Sequence, residues 1–245
     1  MLDDANVIQQ RDPEGALGIA ADQWQQVKYD AIVEDGDHDG RDVTKVVITG
    51  MGGSALAGLL AKALLEEELF IPFEVVRGYE LPTYVDAGTL VIASSYSGNT
   101  EETISALEQA RGRGAQIAVL AAGGKLVEVA KAEGIARVVL PGGMQPRMAM
   151  LANMLALVTL LVHFGVVSDT LNSDLAATAD WLHEQSAQWV PDVSTDKNDA
   201  KQLALLAVGK TPVIYGGRLT GPVAYKWKIS WNENAKNVAF WNELP

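Results

Sequence analysis

Residues 89–113 read TLVIASSYSGNTEETISALEQARGR. The first part, 89–95, is apolar and β-branched without polar alternation, the pattern of a parallel strand covered on both faces. The last part, 100–113, carries helical spacing. Between them stands a turn of small polar residues: Ser95, Ser97, Gly98 and Thr100. A strand, a hydroxyl-rich turn and a helix in one run form the repeating unit of a wound α/β sheet.

The same unit recurs on either side. Strand patterns fall at 45–49 (KVVIT), 73–77 (FEVVR), 115–121 (AQIAVLA) and 136–140 (ARVVL), with helical patterns at 54–68 and 125–133 between them. The expected fold is α/β: a doubly wound, mainly parallel sheet of five strands, followed by the start of a second such unit. Ahead of the sheet, 13–33 reads as a helix beginning near a proline, and 35–42 as a charged, turn-rich connection. After it come helices at 146–165 and 170–190 and a polar linker at 192–201. Strand, turn, helix and strand signals follow at 211–215, 216–217, 218–233 and 237–241. The expected division is 1–43, a helix and connection; 44–168, the first domain; 169–205, a helix and linker; 206–245, an incomplete second domain. A lone strand–helix–strand unit does not bury its own faces, so further chain, or another chain, is expected to complete it.

Composition narrows the function. Of 245 residues, 48% are hydrophobic and 20% charged, a globular balance with enough chain for a sizeable core. The net charge of -12, with no Lys/Arg cluster, argues against a nucleic-acid partner. It also means that an anionic ligand must be held by local donors rather than by the overall field. There is no cysteine, which suits a reducing cytoplasm. The polar, acidic N-terminus reads as neither a secretory signal nor a transit peptide. Residues 148–165 are uncharged and approach spanning length, but Asn153, Thr159 and His163 interrupt them; a core or dimer-interface helix is expected, not a membrane span. His38, His163 and His183 are scattered, no metal-ligand spacing appears, and all three read as structural or solvated.

Four junctions carry the candidate chemistry. In open α/β sheets ligands sit where strands give way to helices. Gly50-Met51-Gly52-Gly53-Ser54-Ala55 follows one strand; its glycines admit close backbone approach, and Ser54 is placed to cap the helix or to present its hydroxyl. The 95–100 turn follows another, with hydroxyls at a helix N-terminus whose amides favour an anion. The alternative there is an ordinary capped helix, with Glu101 and Glu102 answering the dipole. The glycine loop also fits a dinucleotide fingerprint, but the second strand ends in Arg77 rather than an acid, and the hydroxyl turn is left unexplained. At 141–147 (PGGMQPR), Pro146 suits a first helical position and Arg147 stands where the dipole disfavours a cation, so it asks for a reason. At 231–236 (WNENAK), Glu233 between two asparagines is a candidate general base, against a solvated glutamate.

Together GMGGSALAG (50–58), SSYSGNTEET (94–103), PGGMQPR (141–147), TPVIYGG (211–217) and WNENAK (231–236) resemble the SIS, or sugar isomerase, domain family, and within it the bifunctional phosphoglucose/phosphomannose isomerases. The likeness runs from about residue 44 to the end of the sequence. The resemblance implies two SIS subdomains per chain, a homodimer, and a sugar phosphate substrate without metal or redox cofactor. It implies phosphate binding by Gly52, Gly53, Ser54, Ser95, Ser97 and Thr100, Arg147 near the reacting carbons, and Glu233 moving a proton between C1 and C2 through an enediol. It also implies a ring-opening histidine in an Asn-His-Asn-Glu segment and a later lysine. Neither occurs in this sequence, so weak or no turnover is expected of the chain by itself.

Overall fold

The structure is a computed structural model that describes residues 2–37 and 39–245; His38 lies outside the described residues. The chain forms two compact units, Tyr29–Ser173 and a terminal unit of Met1–Lys28 with Asp174–Pro245. Strands are β1 Val33–Glu34, β2 Lys45–Thr49, β3 Phe73–Val76, β4 Thr89–Ser94, β5 Gln116–Ala121, β6 Ala136–Val139, β7 Val213–Gly216 and β8 Phe240–Glu243. Helices are α1 Ala5–Arg11, α2 Ala16–Ala21, α3 Gly52–Leu65, α4 Glu101–Gly112, α5 Gly124–Glu133, α6 Met150–His163, α7 Thr170–Ala187, α8 Asp199–Ala207 and α9 Gly221–Glu233.

In the Tyr29–Ser173 unit the strands form one sheet in the order β1-β6-β5-β4-β2-β3. All pairings from β6 to β3 are parallel. The strands read as unbroken apolar runs because both faces are covered: every residue of β4 is buried, as are Val46, Val47 and Ile48 of β2. Val47 and Val91 pack with Ala106 of α4, while Ala93 and Val119 pack with Leu107 of α4 and with Leu126 and Ala130 of α5. The opposite face is covered by α3 and α6, which pack on each other. Each fully buried Leu or Ile in these layers contributes about 1.5–3 kcal/mol. Among the described residues no helix is long and apolar enough to cross a membrane; α6 spends its apolar side chains on the core.

The sheet has six strands rather than the expected five. The extra strand, β1, is two residues long and antiparallel to β6. The buried Arg137 of β6 holds it, reaching Glu34 at 2.7 Å and also the Asp35 carboxylate. The helix expected over 13–33 is therefore broken. Gly15 adopts a left-handed φ of 67° ahead of α2, Asp12 caps that helix through the Ala16 and Leu17 amides, and a short 3-10 turn, Gln23–Val27, replaces its continuation. The long helix expected from 146 starts instead with a 3-10 turn, Pro146–Met148, before α6.

In the terminal unit, β7 and β8 pair in parallel, Val213 opposite Phe240 and Gly216 opposite Glu243, with α9 as the crossover. The stretch expected to be a linker contains another 3-10 turn, Thr195–Lys197, and the start of α8, which Asn198 caps by accepting from the Lys201 amide. His183 stacks on Trp24 with ring centres 4.5 Å apart. In the sheet unit, His163 lies 2.6 Å from the Gly36 carbonyl oxygen through Nε2.

Candidate functional site

β2 and β4 are neighbours, yet β3 lies beyond β2 on one side while β5 and β6 lie beyond β4 on the other. The winding reverses between β2 and β4, which opens a crevice at their carboxyl ends. The two loops singled out in the sequence leave these two strands. Each runs into a helix that no side chain caps: Met51 stands at the N-cap of α3 and Thr100 at that of α4, neither with a side-chain bond to the helix. The first-turn amides of both helices thus lack the acceptor that a capping side chain provides, which is the setting in which a bound anion is stabilised.

Ser54 does not cap α3. Gly52 and Gly53 are already helical, so Ser54 is the third helical residue, and its buried hydroxyl accepts the Tyr96 N–H at 3.1 Å. It ties the β2 loop to the β4 loop. Ser95 Oγ, also buried, lies 2.7 Å from Thr100 Oγ1 and 3.4 Å from Ser97 Oγ, and it accepts the Gly98 amide at 3.2 Å. The three expected hydroxyls therefore share one cluster, with Ser97 exposed and Thr100 half-buried. Gly98 makes the turn possible. Its φ is 70°, and a Cβ there would lie 1.8 Å from the Gly123 carbonyl oxygen, so no other residue fits without moving the loop after β5.

Two neighbours of these hydroxyls were missed by sequence reasoning. Asn99 accepts the Lys125 amide at 3.0 Å and donates to the Ser97 carbonyl at 3.2 Å, locking the turn to the start of α5. Tyr96 buries its ring and donates its hydroxyl to the Pro141 carbonyl at 2.7 Å while accepting the Met144 amide at 3.1 Å. Its signal was a large aromatic inside a loop otherwise made of small polar residues.

The third loop, after β6, comes in against the first. A Cβ on Gly53 would meet the Pro146 carbonyl oxygen at 2.7 Å and the Arg147 Cα at 3.3 Å. Arg147 is half-buried in its 3-10 turn, ahead of α6 rather than inside it. The structure therefore brings Gly52, Gly53, Ser54, Ser95, Ser97, Thr100 and Arg147 together in the sheet unit. Glu233 is not among them: it is the exposed last residue of α9 in the terminal unit. A carboxylate at that end opposes the helix dipole. Beside it, Asn232 donates to the Asn237 carbonyl at 2.9 Å.

Negative charge is also present near the crevice. Glu101 and Glu102 occupy the first turn of α4. The Tyr79 hydroxyl donates to Glu101 at 3.3 Å, and the charge of Glu102, more than any other cause, pushes the Tyr79 phenol above its usual range. The amides of α3, the hydroxyl cluster and Arg147 are the donor groups on the loops of this sheet unit.

An open parallel sheet whose loops converge at the reversal of winding defines a doubly wound α/β ligand-binding domain. Residues 41–163 match the family model of the SIS domain, and the chain belongs to that family. Residues 196–245 match the bacterial phospho-glucose isomerase C-terminal SIS domain. The chain is 42% identical over 202 residues to a bifunctional phosphoglucose/phosphomannose isomerase of Caldicellulosiruptor bescii, covering 82% of this chain and 59% of that protein. It is 32% identical over 225 residues to a D-glucosamine-6-phosphate 4-epimerase of Sulfolobus acidocaldarius, covering 91% and 68%. Among solved structures it resembles the C-terminal domain of glucosamine-fructose-6-phosphate aminotransferase from Francisella tularensis, with a TM-score of 0.61 at 16% identity, covering 91% of this chain and 67% of that one. This last likeness speaks for the fold alone.

Proposed function

We propose that the chain is the larger part of an aldose–ketose isomerase that interconverts glucose 6-phosphate and mannose 6-phosphate with fructose 6-phosphate. The convergence of three strand-end loops on two uncapped helix N-termini carries this reading. Ser95, Ser97 and Thr100 donate hydroxyls to the phosphate, and the amides at Gly52 and Gly53 add main-chain donors. Ser54 keeps the two loops in register and retains its own proton for donation. Arg147 stabilises the charge that develops on the sugar oxygens as the enediolate forms. Glu233 takes the proton from C2 of the open-chain aldose and returns it to C1, while the O2 hydroxyl proton passes to O1, so that C2 is oxidised to the ketone as C1 is reduced to the alcohol.

Residues 206–245 are read as the start of a second SIS subdomain and 44–168 as the first, with 1–43 and 169–205 as a leading connection and a joining segment. The whole protein is read as a cytoplasmic homodimer. Exposed apolar side chains at Val213, Tyr215 and Phe240 on the β7–β8 pair are consistent with a sheet that further strands cover. The test is calorimetric titration with fructose 6-phosphate and, separately, with NADH, together with turnover of a form extended beyond residue 245. Binding of the sugar phosphate alone, and loss of turnover with retained binding in Glu233→Gln, support the assignment. NADH binding without sugar phosphate binding, or an active Glu233→Gln enzyme, overturns it.

A further inference from the structure

We infer that Tyr96 is a positioning residue that couples the phosphate-holding turn to Arg147. This rests on the site reading above and adds to it a residue whose side chain touches neither phosphate nor sugar. Tyr96 makes four hydrogen bonds into three other segments. Its amide donates to Ser54 in the first turn of α3, and its carbonyl accepts from Ala122 after β5 at 2.9 Å. Its hydroxyl bridges Pro141 and Met144 in the loop after β6. The first two bonds use main-chain atoms of Tyr96 and are kept in Tyr96→Phe. Of the Tyr96 bonds, the phenol bridge is the part made by the side chain, and it holds the loop that, three residues after Met144, carries Arg147.

The bridge has both of its roles filled. The hydroxyl hydrogen goes to the Pro141 carbonyl and a lone pair takes the Met144 amide, so the phenol is spent on the loop and not offered to a ligand. Tyr96 is 7% exposed as a residue, and this burial fixes the point from which the hydroxyl reaches. Phenylalanine fills the same space but removes the phenol bond from a carbonyl and an amide of the Arg147 loop. The hydroxyls of Ser95, Ser97 and Thr100 do not bond to the phenol, so the phosphate grip is expected to outlast its loss.

The experiment compares the full chain with Tyr96→Phe, Arg147→Ala and the double variant. Two probes are titrated: inorganic phosphate, and a phosphorylated aldonate whose carboxylate stands where the enediolate charge forms. Tyr96→Phe is expected to leave phosphate affinity within about twofold and to weaken the aldonate about tenfold, with the double variant no weaker than Arg147→Ala alone, because the two act as one unit. Equal weakening of both probes, or additive losses, overturns the inference. Hydrogen exchange supplies a readout that needs no ligand. The Met144 amide is expected to exchange about tenfold faster in Tyr96→Phe while the Ala122 amide keeps its rate. An unchanged Met144 rate overturns the coupling. If the unaltered chain binds neither probe, the reading of the site fails, and the exchange result still decides the bridge.

Discussion

Replacing Gly53 by alanine sets two effects against each other. Gly53 lies in the first turn of α3 and is not among the positive-φ glycines, so alanine meets no backbone strain there. Helix propensity alone favours the change by about 0.5–1 kcal/mol. Against this, the new methyl group would stand 2.7 Å from the Pro146 carbonyl oxygen and 3.0 Å from its carbon. The obstacle is main chain, not a side chain free to rotate. Restoring ordinary contact requires a shift of roughly 0.7 Å, and overpacking of this kind costs about 1–3 kcal/mol. The balance is a net loss of about 1 kcal/mol, or roughly 2–4 °C in Tm for a chain of this size. The larger consequence is functional, since the displaced segment carries Arg147. Misplacement on this scale is expected to weaken fructose 6-phosphate binding about tenfold. A thermal melt and a titration on the same sample measure both. A variant that melts lower but binds the sugar phosphate as the unaltered chain does would refute the placement of Arg147 beside the ligand.

Ser97→Ala removes an exposed hydroxyl that accepts the Asn99 amide at 3.3 Å and lies 3.4 Å from Ser95 Oγ, two long contacts that hold little of the fold. Sugar-phosphate affinity is expected to fall by about 1–2 kcal/mol with Tm nearly constant, which titration and melting together check. Arg137→Leu leaves Glu34 and Asp35, both half-exposed, to rehydrate, so destabilisation is expected to stay near 1–3 kcal/mol rather than reach the cost of stranding a buried charge. Its signature is faster hydrogen exchange in 33–35 than in β5. At alkaline pH, burial and then the bond to Glu74 push the Tyr84 phenol up to about 12. Its folded-state pKa is raised, so its contribution is fully present below the unfolded value near 10 and is lost as pH rises towards 12. Tyrosinate absorbance and denaturant midpoints across that range measure it; a midpoint that rises through the window contradicts the sign.

The sheet was legible because its chemistry is local. Runs such as KVVIT and TLVIAS declare two-sided burial without reference to anything distant. β1 was not, because two residues carry no period and are held by Arg137, about a hundred positions later. α8 was hidden by the polar stretch around its Asn198 cap, and its Leu205 and Leu206 are exposed, so no buried stripe marked it. The site divides the same way. The hydroxyls and glycines were visible as residue types at strand ends. For Ser54 a helix cap and a presented hydroxyl both stayed open, because nothing in the sequence tells that it stands inside the first turn of α3 and accepts the Tyr96 amide. The part played by Tyr96 depends on which loops the topology brings together, and that is set by the strand order rather than by spacing.

The most direct measurement is a crystal structure of the chain grown with fructose 6-phosphate. The phosphate is expected between the first turns of α3 and α4, within hydrogen-bond distance of the Ser95, Ser97 and Thr100 hydroxyls, with the sugar directed towards Arg147. A phosphate seated away from both helix ends, or a crevice left empty at saturating ligand, would contradict it.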